Sequence, residues 1–144
     1  MKIILALVAA LTALPVAASA RQASVQLEIA SPRPEGRFAI AVYGDAESFR
    51  QNRNPVRTLM VDRSGAVTRT NLQGLAPGRY VIAVFQDLDG NGTLSTGAFG
   101  IPKEPFGFSN DARVRFGPPS FDAAAITVGA SGGAQRITLR SIMR

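Results

Sequence analysis

Apolar and polar residues alternate with a period of two along most of this chain. In Ser24–Ile29 the residues Val25, Leu27 and Ile29 fall on one side, and Ser24, Gln26 and Glu28 on the other. That is the pattern of a half-buried strand. Comparable runs at Arg37–Tyr43, Val56–Val61, Ala66–Leu72, Arg79–Phe85, Ala124–Val128 and Gln135–Met143 predict six more. The tracts between them are turn chemistry: SPRPEG, DRSG, QGLAPG and GASGG. The polar tract GDAESFRQNRNP has room for one helical turn across Ala46–Arg50, and no helical period is sustained anywhere. Short strands with frequent Gly/Pro turns predict an all-β fold, an antiparallel seven-stranded β-sandwich. One long Gly/Pro/Phe-rich loop runs from Asp87 to about Asp122.

Two strands depart from the simple alternation. Arg79–Phe85 carries Tyr80, Ile82 and Val84 on one face and Val81, Ala83 and Phe85 on the other. Arg37–Tyr43 sets Phe38, Ile40 and Val42 against Ala39, Ala41 and Tyr43. A strand apolar on both faces needs cover on both. The opposite sheet supplies one cover, and the long loop, holding five of the eight Phe residues, is the candidate for the other. Phe106 and Phe108 lie two apart, so in extended chain their rings share a side. At least one of them is expected to bury against the outer face of Arg79–Phe85, with Gly107 bringing the backbone close to the sheet.

The N-terminus has a different pattern. One Lys precedes an apolar run, Ile3–Ala18, which ends in Ala18-Ser19-Ala20. This predicts a secretory signal peptide over residues 1–20, cut before Arg21, and a single mature domain over 21–144. The protein is then periplasmic or secreted, with no transmembrane anchor after processing, because no second apolar run could span a bilayer. Cysteine is absent, so no disulfide staples the fold.

Histidine is absent as well. Without His and Cys, the usual general base, the thiol nucleophile and ordinary zinc or copper sites are gone, and any metal must be held by oxygen. Serine-hydrolase chemistry lacks its base and its G-x-S-x-G elbow. The pair Asp87 and Asp89 lies on one side of a strand rather than flanking a bond, which does not suit a glycosidase. The expectation is therefore no enzyme. The net charge is +6, with fourteen of sixteen basic residues Arg, but these are scattered. Together with export, that argues against nucleic acid as a partner.

The long loop opens with DLDGNGTLS, which matches nine positions of a calcium loop. Asp87, Asp89 and Asn91 would give side-chain oxygens, Thr93 its carbonyl and Ser95 a direct or water-mediated oxygen, with Gly92 at the sharp turn. The closing bidentate Glu is missing, since Ala98 stands there; Glu104 is six residues further on. Calcium is thus the candidate cofactor, and a Gly/Asn/Asp turn leaving a strand is the competing reading. Beyond it, FGIPKEPFGFSNDARVRFGPPSFDAAAI is stiffened by Pro102, Pro105, Pro118 and Pro119. Its Phe rings either plug the sandwich or form a groove. In the groove reading Lys103, Glu104, Asn110 and Arg113 stand at the rim and Phe106 and Phe108 contribute apolar surface.

Several of these motifs together resemble the bacterial exported family known as domain of unknown function 2141. They are Gly74-Leu75, Pro77-Gly78 and Tyr80; Asp87–Gly92; Gly100, Pro102, Glu104 and Gly107–Asn110; and Pro119, Phe121 and Ala124. Where that family often has His before the acidic turn and Asp after it, this chain has Gln86 and Ser95. The resemblance implies an exported β-sandwich and brings no activity with it. The sandwich implied is of the Ig-like or prealbumin-like kind, and the strand start L-x-P-G-x-Y is also similar to prealbumin-like and carboxypeptidase-regulatory-like sandwiches, which host binding modules and a His-dependent hydrolase. The expectation is a non-catalytic binding or interaction module of the cell envelope, its partner an envelope protein, a glycan or a small ligand. A calcium-stabilised structural domain is the alternative, with a hydrolase behind it.

Overall fold

The computed structural model describes residues 22–142. The signal-peptide expectation therefore lies outside the described residues. Alternation builds β1 (Ala23–Ala30), whose burial pattern has a period of two, and β2 (Arg37–Tyr43). A short helix α1 (Ala46–Gln51) follows, started by Asp45, whose carboxylate accepts from the Ser48 amide, and ended at Asn52 in the left-handed region (φ 51°). Next come β3 (Arg57–Asp62), β4 (Val67–Leu75) and β5 (Gly78–Asp87). Out of the long loop emerge β6 (Phe106–Phe108) and the helix α2 (Phe121–Ala124), before β7 (Ile126–Val128) and β8 (Gly133–Thr138) close the chain.

The strands form two sheets. One has the order β4-β1-β8, the other β3-β2-β5-β6, with β7 pairing the start of β5. Their facing sides share one core. Val25, Leu27 and Ile29 of β1, with Leu72, Ile137 and Leu139, meet Phe38, Ile40, Val42, Ile82 and Val84. All of these are essentially sealed from water. Burying such side chains contributes about 1.5–3 kcal/mol each, and this holds the fold without a disulfide.

Two expectations are corrected. First, there are eight described strands rather than seven, because Phe106–Phe108 pairs antiparallel with β5 as a strand of its own. Second, the sheets are not wholly antiparallel: β8 runs parallel to β1, with Leu27 beside Gln135 and Ile29 beside Ile137. The first and last strands of the chain have the rest of the molecule between them, so no hairpin dictates their direction. Alternation reads the same either way.

The outer face of the five-stranded sheet carries Ala39, Ala41 and Tyr43 of β2 beside Phe85, Ala83 and Val81 of β5. Phe49 of α1 and Ala124 of α2 cover one end of it, over Tyr43 and Val81. Helix α2 is held there by Ser120, which caps it, and by Asp122 paired with Arg79 of β5 at 2.9 Å. The long loop thus supplies cover through α2 at that end, and the rest of the face is left to the groove described below.

Candidate functional site: an acidic turn and an apolar groove

At the end of β5 the chain makes a turn organised by carboxylates. Asp87 is buried, and its two oxygens accept from the amides of Gly90 (2.8 Å) and Gly92 (2.9 Å). Gly92 has φ +74°, a conformation that L side chains rarely adopt, so glycine is needed where the turn reverses. Asp89 is exposed. It accepts from the Asn91 amide at 3.1 Å, from Asn91 Nδ2 at 3.0 Å and from Ser95 Oγ at 3.0 Å. These bonds, the Asn91 backbone amide foremost, hold the Asp89 carboxyl below the ordinary carboxylate range. The Asn91 side-chain oxygen accepts from Thr93 N and Oγ1.

Glu104 completes the turn from far along the chain. Thr96 and Pro102 form a bridge, and the Lys103 amide donates to the Ser95 carbonyl at 2.9 Å. The loop so folded returns Glu104 beneath the turn, where it is buried and accepts from Leu88 N (2.8 Å) and Ser95 N (2.9 Å). Carboxylate oxygens of Asp87, Asp89 and Glu104 lie within 4.8 Å of one another. A hard cation with ligands at about 2.3–2.6 Å can bridge that spacing, and each bonded oxygen keeps a second lone pair, so the donor set fits calcium. The same bonds also fit a turn whose carboxylates serve the backbone. Glu104 was expected at the rim of a groove. It is instead a buried member of the acidic turn, because a carboxylate accepting two backbone amides is cheaper to bury than one facing apolar rings.

The other candidate residues are dispersed. Lys103 and Arg113 are exposed, and neither lines the groove. Asn110 is in the left-handed region (φ 57°), with Nδ2 donating to the Ala123 carbonyl at 2.9 Å, so it clamps α2 rather than facing a ligand. Phe106 and Phe108 are placed differently from expectation. Their backbone extends the sheet beside β5, with Phe106 next to Phe85 and Phe108 next to Ala83, and from there Phe108 packs on the cluster of Tyr43, Phe49 and Val81 without being sealed. Their rings rise from the outer face as a side wall of the groove, each half-buried. Between them Gly107 faces inward. A Cβ there would sit 2.9 Å from Ile137 Cγ2 and 3.0 Å from the Thr138 carbonyl oxygen, so only glycine lets the two sheets approach.

The result is a groove of about 580 Å³ on the outer face. Its floor is the small-residue centre Ala39, Ala41 and Ala83, and its walls include Met60, Phe85, Phe106 and Phe108. Leu94 of the acidic turn borders one end, and Phe49, Arg50 and Asn52 the other. Buried Ser109 was not singled out from sequence as a functional group. Its hydroxyl donates to the Ala124 carbonyl (2.6 Å) and accepts from the Ile82 amide (2.9 Å), tying α2 to β5. The signal was its place in G-F-S-N, read only as part of a motif. Gln86 is likewise sealed, with its amide donating to the carbonyls of Arg33 and Glu35 and its oxygen accepting from Ser31.

Among the described residues no helix is long and apolar enough to cross a membrane. A family model described as "Uncharacterized protein conserved in bacteria (DUF2141)" matches residues 25–137. Comparison with curated proteins and with solved structures gives no match.

Proposed function

The chain belongs to the DUF2141 family, and we propose that it is a non-catalytic binding module that takes a small apolar ligand on the outer face of its five-stranded sheet. One observation carries this reading. The face is apolar from Ala39 to Tyr43, yet only its α1/α2 end is covered, and the remainder is a walled groove of about 580 Å³. Sites for small ligands are concave, mostly apolar and about 300–1,000 Å³ in volume. The paired sheets support reading the fold as a sandwich of the Ig-like or prealbumin-like kind, and the N-terminal pattern supports a periplasmic or secreted location. The absence of His and Cys from the whole sequence supports a role without catalysis.

Fluorescence of a neutral solvatochromic dye tests the groove. The protein should bind the dye, and Ala41→Trp, which fills the floor, should abolish binding while the unfolding midpoint stays within a few degrees. A dye signal that survives Ala41→Trp, or no signal from the unmodified protein, would contradict the reading.

The carboxylates of Asp87, Asp89 and Glu104 favour a second reading, a calcium-stabilised turn. Millimolar calcium should then raise the melting temperature through linkage, and Asp89→Ala should remove the rise. Superimposable melts in calcium and in chelator would leave the carboxylates as turn-forming groups alone.

A further inference from the structure

We propose that the groove's ligand is a single-chain fatty acid, its carboxylate held by Arg50 and Asn52 and its alkyl chain lying along Ala41 and Ala39 toward Leu94. The inference rests on the groove reading above and names the class of ligand. Three observations carry it. Arg50 is the one charged side chain lining the groove, and it makes no ion pair among the described residues. Beside it, Asn52 has its side-chain oxygen engaged by the Tyr43 hydroxyl. Its amide Nδ2 has no partner among the described residues, so this end of the groove offers donors. The opposite end adjoins the turn that carries Asp87, Asp89 and Glu104, where an anion would be repelled.

The groove therefore has a polarity along its length. From Ala39 to Tyr43 the floor spans four residue steps of strand, roughly 13 Å at the rise of an antiparallel strand. It has an apolar middle, a donor end and an acidic end. A guanidinium and a primary amide, both donors, suit a carboxylate, for which Arg offers a bidentate fork. An alkyl chain asks only for apolar walls, and the walls here are Met60, Phe85, Phe106 and Phe108. A diacyl lipid presented by a membrane shares the anionic head, so the test separates the two sources.

Dodecanoate, below its micellar concentration, and dodecanol, below its solubility limit, are titrated by isothermal calorimetry against the unmodified protein and against Arg50→Gln. The exposed position of Arg50 keeps that variant folded. The acid should bind roughly tenfold more tightly than the alcohol, as for one charge-assisted contact. Arg50→Gln should bring the acid down to the level of the alcohol, and added salt should weaken only the acid. Equal binding of acid and alcohol, unchanged in Arg50→Gln, would overturn the head-group assignment and leave the groove standing. Binding of neither would remove both. Binding to phosphatidylglycerol vesicles without binding to monomeric dodecanoate would also overturn the assignment, in favour of a membrane surface.

Discussion

At the scale of single residues, the polar groups of this protein serve the backbone before anything else. Ser109 is fully buried and satisfies two main-chain groups on different elements. Ser109→Ala leaves the Ile82 amide and the Ala124 carbonyl without partners. The expected cost is about 2–3 kcal/mol, because an unpaired buried group costs its full desolvation. Urea unfolding checks it, and a loss below the level of an ordinary surface substitution would mean that water replaces the hydroxyl. Tyr80 makes a smaller contribution. Its hydroxyl donates to the Ala76 carbonyl at 2.8 Å, closing the Pro-Gly turn that starts β5. This is the arrangement of a tyrosine corner, in which a Tyr close behind a turn at a strand start bonds back across it. Tyr80→Phe should lower stability by about 0.5–1 kcal/mol, since the bond is partly open to water. The sequence alone made Tyr80 legible through a recurring turn. It did not do so for Ser109, whose partners lie 15 and 27 positions away in the chain.

At the scale of elements, the alternating strands were readable because one face of each is buried, and alternation reports burial directly. The segment Phe106–Phe108 was harder to place. Two rings on one side fit a cover laid over the sheet, but the backbone pairs with β5 and, on its other side, with Arg140 through reciprocal bonds of 3.0 and 2.9 Å. The spacing of the rings is the same in either arrangement, and the difference lies in backbone hydrogen bonds that side-chain pattern does not encode. The energetic expectation changes with it. Phe108 is half-buried and packs edge-on against Phe49 at 5.7 Å. Phe108→Ala should therefore cost about 2 kcal/mol, less than for a sealed core ring. Gly107→Ala is the sharper test of the pairing. The added methyl meets Ile137 and the Thr138 backbone and should cost about 1–3 kcal/mol by overpacking. A neutral effect on the unfolding midpoint would mean that β6 does not approach the other sheet as described. From sequence, Phe121 and Asp122 fall in the long loop and Ala124 starts a strand; the short helix α2 takes Phe121–Ala124 instead, capped by Ser120, and a single turn is too short to show a period.

At the scale of the molecule, two long-range placements give the chain its candidate chemistry. Glu104 joins Asp87 and Asp89 through the loop that Thr96 and Pro102 pin back, which supplies a third carboxylate where the calcium-loop spacing had left a gap. The groove arises because β6 extends the sheet at one side of the outer face while α1 and α2 cover only one end. Neither could be read from residue spacing, since both depend on where distant segments return. The apolar outer face itself was legible in the doubled apolar pattern of β2 and β5. What the pattern did not contain was how much of that face the loop would leave open.

The central claim is that this open face binds an apolar ligand, and methyl-resolved NMR tests it most directly. With alanine methyls labelled, dodecanoate is added to the folded protein and the methyl shifts are followed. Ala39, Ala41 and Ala83 should move together and saturate, while the methyl of Ala124, sealed at the end of α2, stays in place. Saturable shifts elsewhere with these three methyls unmoved, or no saturable shift at all, would contradict the account.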